Sequence, residues 1–99
     1  MGMEYVFQWD PNKARSNQSK HDISFRQASQ VFKDPAMMTV FDDEHSFEDD
    51  RWITVGLVGR GLYLLVVHTF DEINPEKANV RIISARRASR SEINQYQGG

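Results

Sequence analysis

The sequence predicts an α+β domain with helices and strands segregated along the chain. Three observations predict it. Two helix-start signals, Asp10-Pro11 and Ser24, come early; two apolar, β-branched runs split by Gly59-Arg60-Gly61 follow; and Ser89 with Glu92, at capping-box spacing, opens a short helix near the end. Helices gathered ahead of strands that follow one another closely imply an antiparallel sheet with the helices on one face.

Each element has a local cause. Glu4 to Trp9 reads EYVFQW, aromatic and β-branched residues that suit an opening strand. Asp10 supplies a capping carboxylate and Pro11 a preset φ, so a first helix runs to about His21. Ser24 caps a second helix, in which Phe25, Ala28 and Phe32, with Val31 beside them, form one apolar stripe ending before Asp34-Pro35. Met37 to Phe41 reads as a strand and Asp42 to Asp50 as an acidic loop. RWITVGLV and LYLLVVHTF form an antiparallel hairpin, its turn supplied by the positive φ that Gly59 and Gly61 tolerate. Leu62 to Val67 is apolar on both faces and belongs in the middle of the sheet. DEINPEKAN, residues 71–79, reads as a long connection to a last strand, VRIISAR, and the final helix reaches about Tyr96.

Ninety-nine residues make one domain, 1–99, whose core must come from 39% hydrophobic residues without cysteine. That excludes a disulfide framework, a thiol nucleophile and a cysteine-rich zinc site. The longest apolar run, Leu62 to Val67, is far below the roughly 20 residues a bilayer requires, and no basic-then-apolar leader opens the chain, so a cytoplasmic protein with no membrane partner is expected. The formal charge of −2 hides a split. Residues 1–33 hold five basic and three acidic side chains, residues 34–50 none and seven, and residues 51–99 seven and four. The acid forms one block, which either faces a cationic surface or is simply solvated.

The chemistry concentrates in two segments. In RIISARRASRSE, Arg86, Arg87 and Arg90 crowd the start of the last helix, where positive charge opposes the macrodipole. Guanidinium forks beside open amides make a phosphate site, unless these arginines pair with Glu92 or the acidic loop. Strict alternation puts Arg81 and Arg87 on one face with Ile83 and Ala85, and Arg86 on the other with Ile82 and Ser84. In the first helix Lys13, Asn17 and Lys20 form a polar cationic stripe ending in Lys20-His21. Histidine can exchange protons with a ribose 2′-hydroxyl or a leaving oxygen, and lysine can offset phosphorane charge; equally, both residues complement the helix C-terminus. His68, alternating with Leu64 and Val66, reads as a satisfied core histidine. His45 sits among Asp42, Asp43, Glu44 and Asp49, which read as a solvated loop in preference to a divalent-cation site. Trp9, Phe7 and Trp52 could stack on bases but suit a core better. No phosphate-cradling glycine loop, serine elbow or zinc signature is present.

Two motifs together carry a resemblance. Trp9, Asp10, Lys13, Ala14, Asn17, Lys20, His21, Ile23, Ser24 and Phe25 fill W-D-x-x-K-A-x-x-N-x-x-K-H-x-I-S-F, and Ser84, Ala85, Arg86, Ala88 and Ser89 fill S-A-R-x-A-[ST]. With RWITVG and LLVVHT between them, most of the chain resembles the BrnT family, the ribonuclease toxins of type II toxin-antitoxin operons. The resemblance implies a RelE-like α+β fold and RNA cleavage that needs no metal or other cofactor. It also implies inhibition of translation, and neutralisation by a BrnA-type antitoxin through which alone operator DNA is engaged. It assigns Arg86 and Arg87 to phosphate stabilisation, Lys20 to charge neutralisation, His21 to proton transfer and a 2′,3′-cyclic phosphate to the product. Arg60 and Arg81 are candidates for positioning substrate, with Lys13, Asn17 and Arg90 as further candidate contacts. Two departures stand out: residues 71–79 read as longer than the tight hairpin common in the family, and the net charge is acidic. The competing expectation is a catalytically weak antitoxin-binding module acting in operon autoregulation.

Overall fold

The computed structural model describes residues 2–45 and 49–98. Among them the chain runs β1 (Glu4–Gln8), α1 (Pro11–His21), α2 (Phe25–Ser29), a 3₁₀ turn (Gln30–Lys33), β2 (Met38–Phe41), a second 3₁₀ turn (Asp43–His45), β3 (Trp52–Val58), β4 (Leu62–His68), β5 (Asp71–Asn74), β6 (Lys77–Arg87) and α3 (Arg90–Tyr96). The acidic loop expected over Asp42 to Asp50 falls partly on residues 46–48, outside the described residues. No helix among the described residues is long and apolar enough to cross a membrane.

The local signals act as expected. Asp10 accepts a hydrogen bond from the Asn12 N–H at 2.8 Å, Pro11 opens α1, and the helix closes on Asp22 in the left-handed conformation, φ 57°. The Ser24 hydroxyl accepts from the Gln27 N–H at 3.0 Å, but α2 tightens into 3₁₀ geometry after Ser29. Ser89 and Glu92 form a reciprocal capping box at α3.

The sheet order is β1-β6-β4-β3-β2, with β5 also paired to β6. It is mixed, which corrects the antiparallel expectation: β1 runs parallel to β6, from Glu4 opposite Lys77 to Gln8 opposite Arg81. Two helices and most of the sheet separate these strands in sequence, so no hairpin fixes their relative direction. The long connection is also corrected. Residues 71–79 hold β5 and the start of β6, joined by a tight turn in which the Asn74 side-chain oxygen accepts from the Glu76 N–H at 2.8 Å.

Directly opposed residues of an antiparallel pair share a face. Gly56 with Leu64, and Val66 with Ala85, therefore lie on one face, where Ile23, Phe25, Ala28, Val31 and Phe32 pack with Val80 and Ile82 in the buried core. Tyr5, Phe7 and Trp9, alternate residues of β1 and its end, pack against it, so Phe7 and Trp9 serve the core. Gly56 is required there: a Cβ at that position would stand 2.9 Å from the Val31 Cβ, closer than atoms can approach. The other face carries Ile53, Val55, Leu57, Tyr63, Leu65 and Val67. There the Tyr63 ring meets Tyr96 of α3 at 5.7 Å, so α3 packs on the face opposite α1 and α2, not on a single shared face.

α3 is fastened at both ends. Asp34 accepts from the Tyr96 hydroxyl, the Leu57 N–H at 2.8 Å and the Ala36 N–H at 2.9 Å. Burial raises the Asp34 carboxyl, but these three donors outweigh it and hold it below the usual carboxylate value, while the bond to Asp34 pushes Tyr96 up to about 12. Glu92 makes the second attachment.

Candidate functional site

β6 decides which arginines meet. His68 lies opposite Ile82, but Val67 lies opposite Ser84, so Ile83 is an extra residue, a β-bulge. Ile82 and Ala85 both reach the core, each 1% exposed, where strict alternation would separate them. The consequence is a correction to the face assignment. Arg81, beside inward-facing Ile82, shares the outer face with Ser84 and Arg86, whereas Arg87, opposite Leu64, lies on the core side.

A cleft of about 470 Å³ opens on the outer face, its floor formed by Ile53, Leu65 and Val67 and its walls by His21, Ser84 and Arg86 with Glu92 of α3. Asp42, Glu44, His45 and Arg51 complete the rim. The backbone explains their presence: the Asp42 N–H donates to the Arg51 carbonyl at 2.9 Å, which carries the β2–β3 ladder one step further and swings the Asp43–His45 turn over the cleft. A second cleft of about 250 Å³ holds Lys13, Ser16 and Lys20, and shares His21, Ile83 and Ser84 with the first. The first helix and the last strand thus bring His21 and Arg86 to one cleft, with Lys20 in the next.

Asn17 makes that convergence possible. Its amide donates to the carbonyls of Ile23 at 3.0 Å and Ala85 at 2.9 Å, and its oxygen accepts from the Ala85 N–H at 3.0 Å. It is 5% exposed with both its donors engaged, and it borders the second cleft: Asn17 ties the end of α1 to the residue beside Arg86. One side chain thus bridges the backbone of Ile23 and Ala85, groups far apart in sequence.

Arg86 is oriented end-on by Glu92, at 2.9 Å from Nη1 and 2.8 Å from Nη2, and Nη1 also donates to the Arg87 carbonyl at 3.2 Å. Glu92 accepts at the same time from the Ser89 N–H at 2.7 Å. The Arg86 fork is the main cause that lowers the Glu92 carboxyl to about 2, and Glu92 in turn raises Arg86 further above its ordinary range. A guanidinium has five N–H donors. Among the described residues, the Nε edge of Arg86 has no partner and remains able to face an anion.

The other expected contacts are dispersed. Arg81 donates to Asp49 at 2.8 Å, the pairing with acidic residues weighed from the sequence. Arg60 sits in the hairpin turn, and neither it nor Arg87 or Arg90 is among the described lining of the two clefts. His68 is the satisfied core histidine expected, with 0% exposure. His45, read as part of a solvated loop, is exposed there and also lines the cleft. The signal that could have marked it is Asp42-x-x-His45: Asp42 accepts from its Nδ1 at 3.1 Å. No group of three or more His, Asp or Glu side chains able to hold a metal ion occurs among the described residues.

Residues 9–92 match the family model described as the ribonuclease toxin BrnT of type II toxin-antitoxin systems. The crystal structure of the Brucella abortus ribonuclease toxin BrnT is similar in fold, with a TM-score of 0.62 and 19% identity over 89% of this chain and 100% of that one. No curated protein sequence matches the chain.

Proposed function

Because this chain belongs to the BrnT family of ribonuclease toxins of type II toxin-antitoxin systems, we propose that it is itself a metal-independent endoribonuclease, a single RelE-like toxin domain over residues 1–99. One observation carries the reading: His21, at the end of α1, and Arg86, near the end of β6, line the same cleft, and Lys20 lines the adjoining one. These are the group types that cleavage of an RNA backbone requires. The ribose 2′-oxygen attacks the neighbouring phosphorus, the bond to the 5′-oxygen breaks, and a 2′,3′-cyclic phosphate and a 5′-hydroxyl remain.

In this reading the open Nε edge of Arg86 receives the non-bridging oxygens as charge grows on them, and Glu92 prevents the guanidinium from turning away. Lys20 with Lys13 neutralises the flanking backbone, and His21 transfers a proton. Arg81, Arg60, Arg87 and Arg90 act as longer-range attraction for the polyanion. In the cell the protein works in the cytoplasm on RNA, inhibits translation and is neutralised by a BrnA-type antitoxin, which connects it to operator DNA.

A specific observation favours a second reading. Glu92 already engages both terminal nitrogens of Arg86, which suits a catalytically weak module whose main task is to bind antitoxin. Digestion in EDTA separates the two. A toxin nuclease cuts RNA under those conditions, leaves cyclic phosphate ends and loses cleavage on Arg86→Ala without losing its fold. A binding module holds antitoxin but cuts nothing, with or without added metal.

A further inference from the structure

We infer that His45, oriented by Asp42, is a second proton-transfer residue of the cleft and takes the proton of the attacking 2′-hydroxyl. The inference rests on the ribonuclease reading above and assigns a residue to a step that reading leaves open.

The geometry is that of an imidazole held by a carboxylate. His45 Nδ1 lies 3.2 and 3.1 Å from the two oxygens of Asp42. The Asp42 side chain is only 10% exposed and its backbone is pinned to Arg51, whereas the His45 side chain is 62% exposed. A carboxylate can only accept, so it places the ring proton on Nδ1 and leaves a lone pair on Nε2, which has no partner among the described residues. Asp42 also stabilises the imidazolium that forms once a proton is taken. A solvated loop histidine needs no buried carboxylate behind it.

The surroundings complete the set. His21 reaches the cleft from α1, Arg86 from β6 and Glu92 from α3, while Glu44 and Arg51 flank His45 on the rim. Two imidazoles on separate elements with an arginine in the same cleft match a reaction that needs a base and an acid in succession. Neutral His45 Nε2 accepts the 2′-hydroxyl proton as the O2′–P bond forms. The P–O5′ bond breaks, and protonated His21 gives its proton to the leaving 5′-oxygen. Atoms and charge balance without water, metal or other reactant, and bulk solvent then exchanges the two ring protons back.

The test is RNA cleavage in EDTA by wild type, His45→Gln and Asp42→Asn, with kcat and KM followed against pH. His45→Gln is expected to lower kcat by about 10²-fold or more, with KM little changed, because the base and not the binding surface is removed. Its kcat/KM profile should lose the limb that falls away on the acid side. Asp42→Asn should lower kcat in the same direction. Circular dichroism melting checks the fold, and added imidazole should restore cleavage to His45→Gly, a rescue that a structural role would not give. A cleaving wild type with His45→Gln equally fast and its acid limb intact overturns the role of His45 alone, as does a His45→Gly protein that imidazole fails to revive. A wild type that cuts no RNA overturns the ribonuclease reading, and this inference with it.

Discussion

His68 and His45 stand on opposite sides of the same sheet and show what burial does to an imidazole. His68 is fully enclosed, edge-on to Phe32 at 4.9 Å, and burial pushes its pKa below the ordinary histidine value. Its Nδ1 can only donate to the Thr69 carbonyl, at 2.9 Å, so neutral Nε2 must accept from the Thr54 hydroxyl, at 2.7 Å. Thr54 must then accept from Thr39, at 2.8 Å. Every proton in that chain has one place. His45 has a carboxylate on one nitrogen and an exposed ring beyond it. The comparison teaches that a histidine satisfied at both nitrogens by neutral partners is structural, whereas one fixed at a single nitrogen keeps the other for chemistry.

Five substitutions probe that division. The largest effect belongs to the closed side: Phe25→Ala, at a side chain 1% exposed, should lower unfolding free energy by about 3–5 kcal/mol in urea titration. The next tests whether the open side is the active one. Arg86→Ala should slow RNA cleavage by about 10²–10³-fold, and Arg87→Ala, which alters the other face of β6, far less. Equal losses in a single-turnover assay would erase the distinction between the faces. Thr54→Val leaves His68 Nε2 without a donor and should destabilise by about 1–3 kcal/mol, read by thermal melting, with cleavage per folded molecule retained.

The smallest effect is the pH dependence of the pair that orients Arg86. Glu92 titrates at about 2 when folded, against an ordinary value of 4.5, so its contribution is complete above the ordinary value and fades as pH falls towards the folded one. Both partners are partly exposed, at 43% and 25%, which holds the contribution to about 0.2–1 kcal/mol. Glu92→Gln should therefore melt slightly earlier than wild type near neutrality, and the gap should close on acidification.

What the sequence reveals is local. Asp10-Pro11, Ser24, Gly59 with Gly61 and Ser89 with Glu92 each set a turn or cap through neighbours a few residues away, and the structure places those boundaries as the residues dictate. The stripe of Phe25, Ala28, Val31 and Phe32 is buried as its spacing requires. What the sequence conceals is pairing over distance. The parallel contact of β1 with β6, the placement of α3 on the second face and the ladder step from Asp42 to Arg51 arise from tertiary packing, for which no short pattern codes. That is why Lys20, His21 and Arg86 could be expected to act together only from their chemistry joined to the family resemblance, while His45 read as part of a solvated loop although Asp42 three residues before it was there to mark it.

The bulge at Ile83 works on β6 as a shift of frame. In a strand, sidedness repeats every two residues, so one surplus residue reverses the parity of everything beyond it relative to everything before. The first half of β6 can then place Ala78, Val80 and Ile82 inward by one count, while the second half places Ala85 inward by the other. Straightening the strand with all its residues kept would force a choice between sinking Arg86 into the hydrocarbon interior and turning Val80 and Ile82 out to water. Deletion of Ile83 itself would leave both halves on their present sides, whereas one residue gained or lost elsewhere in β6 would exchange the inside and outside of half a strand.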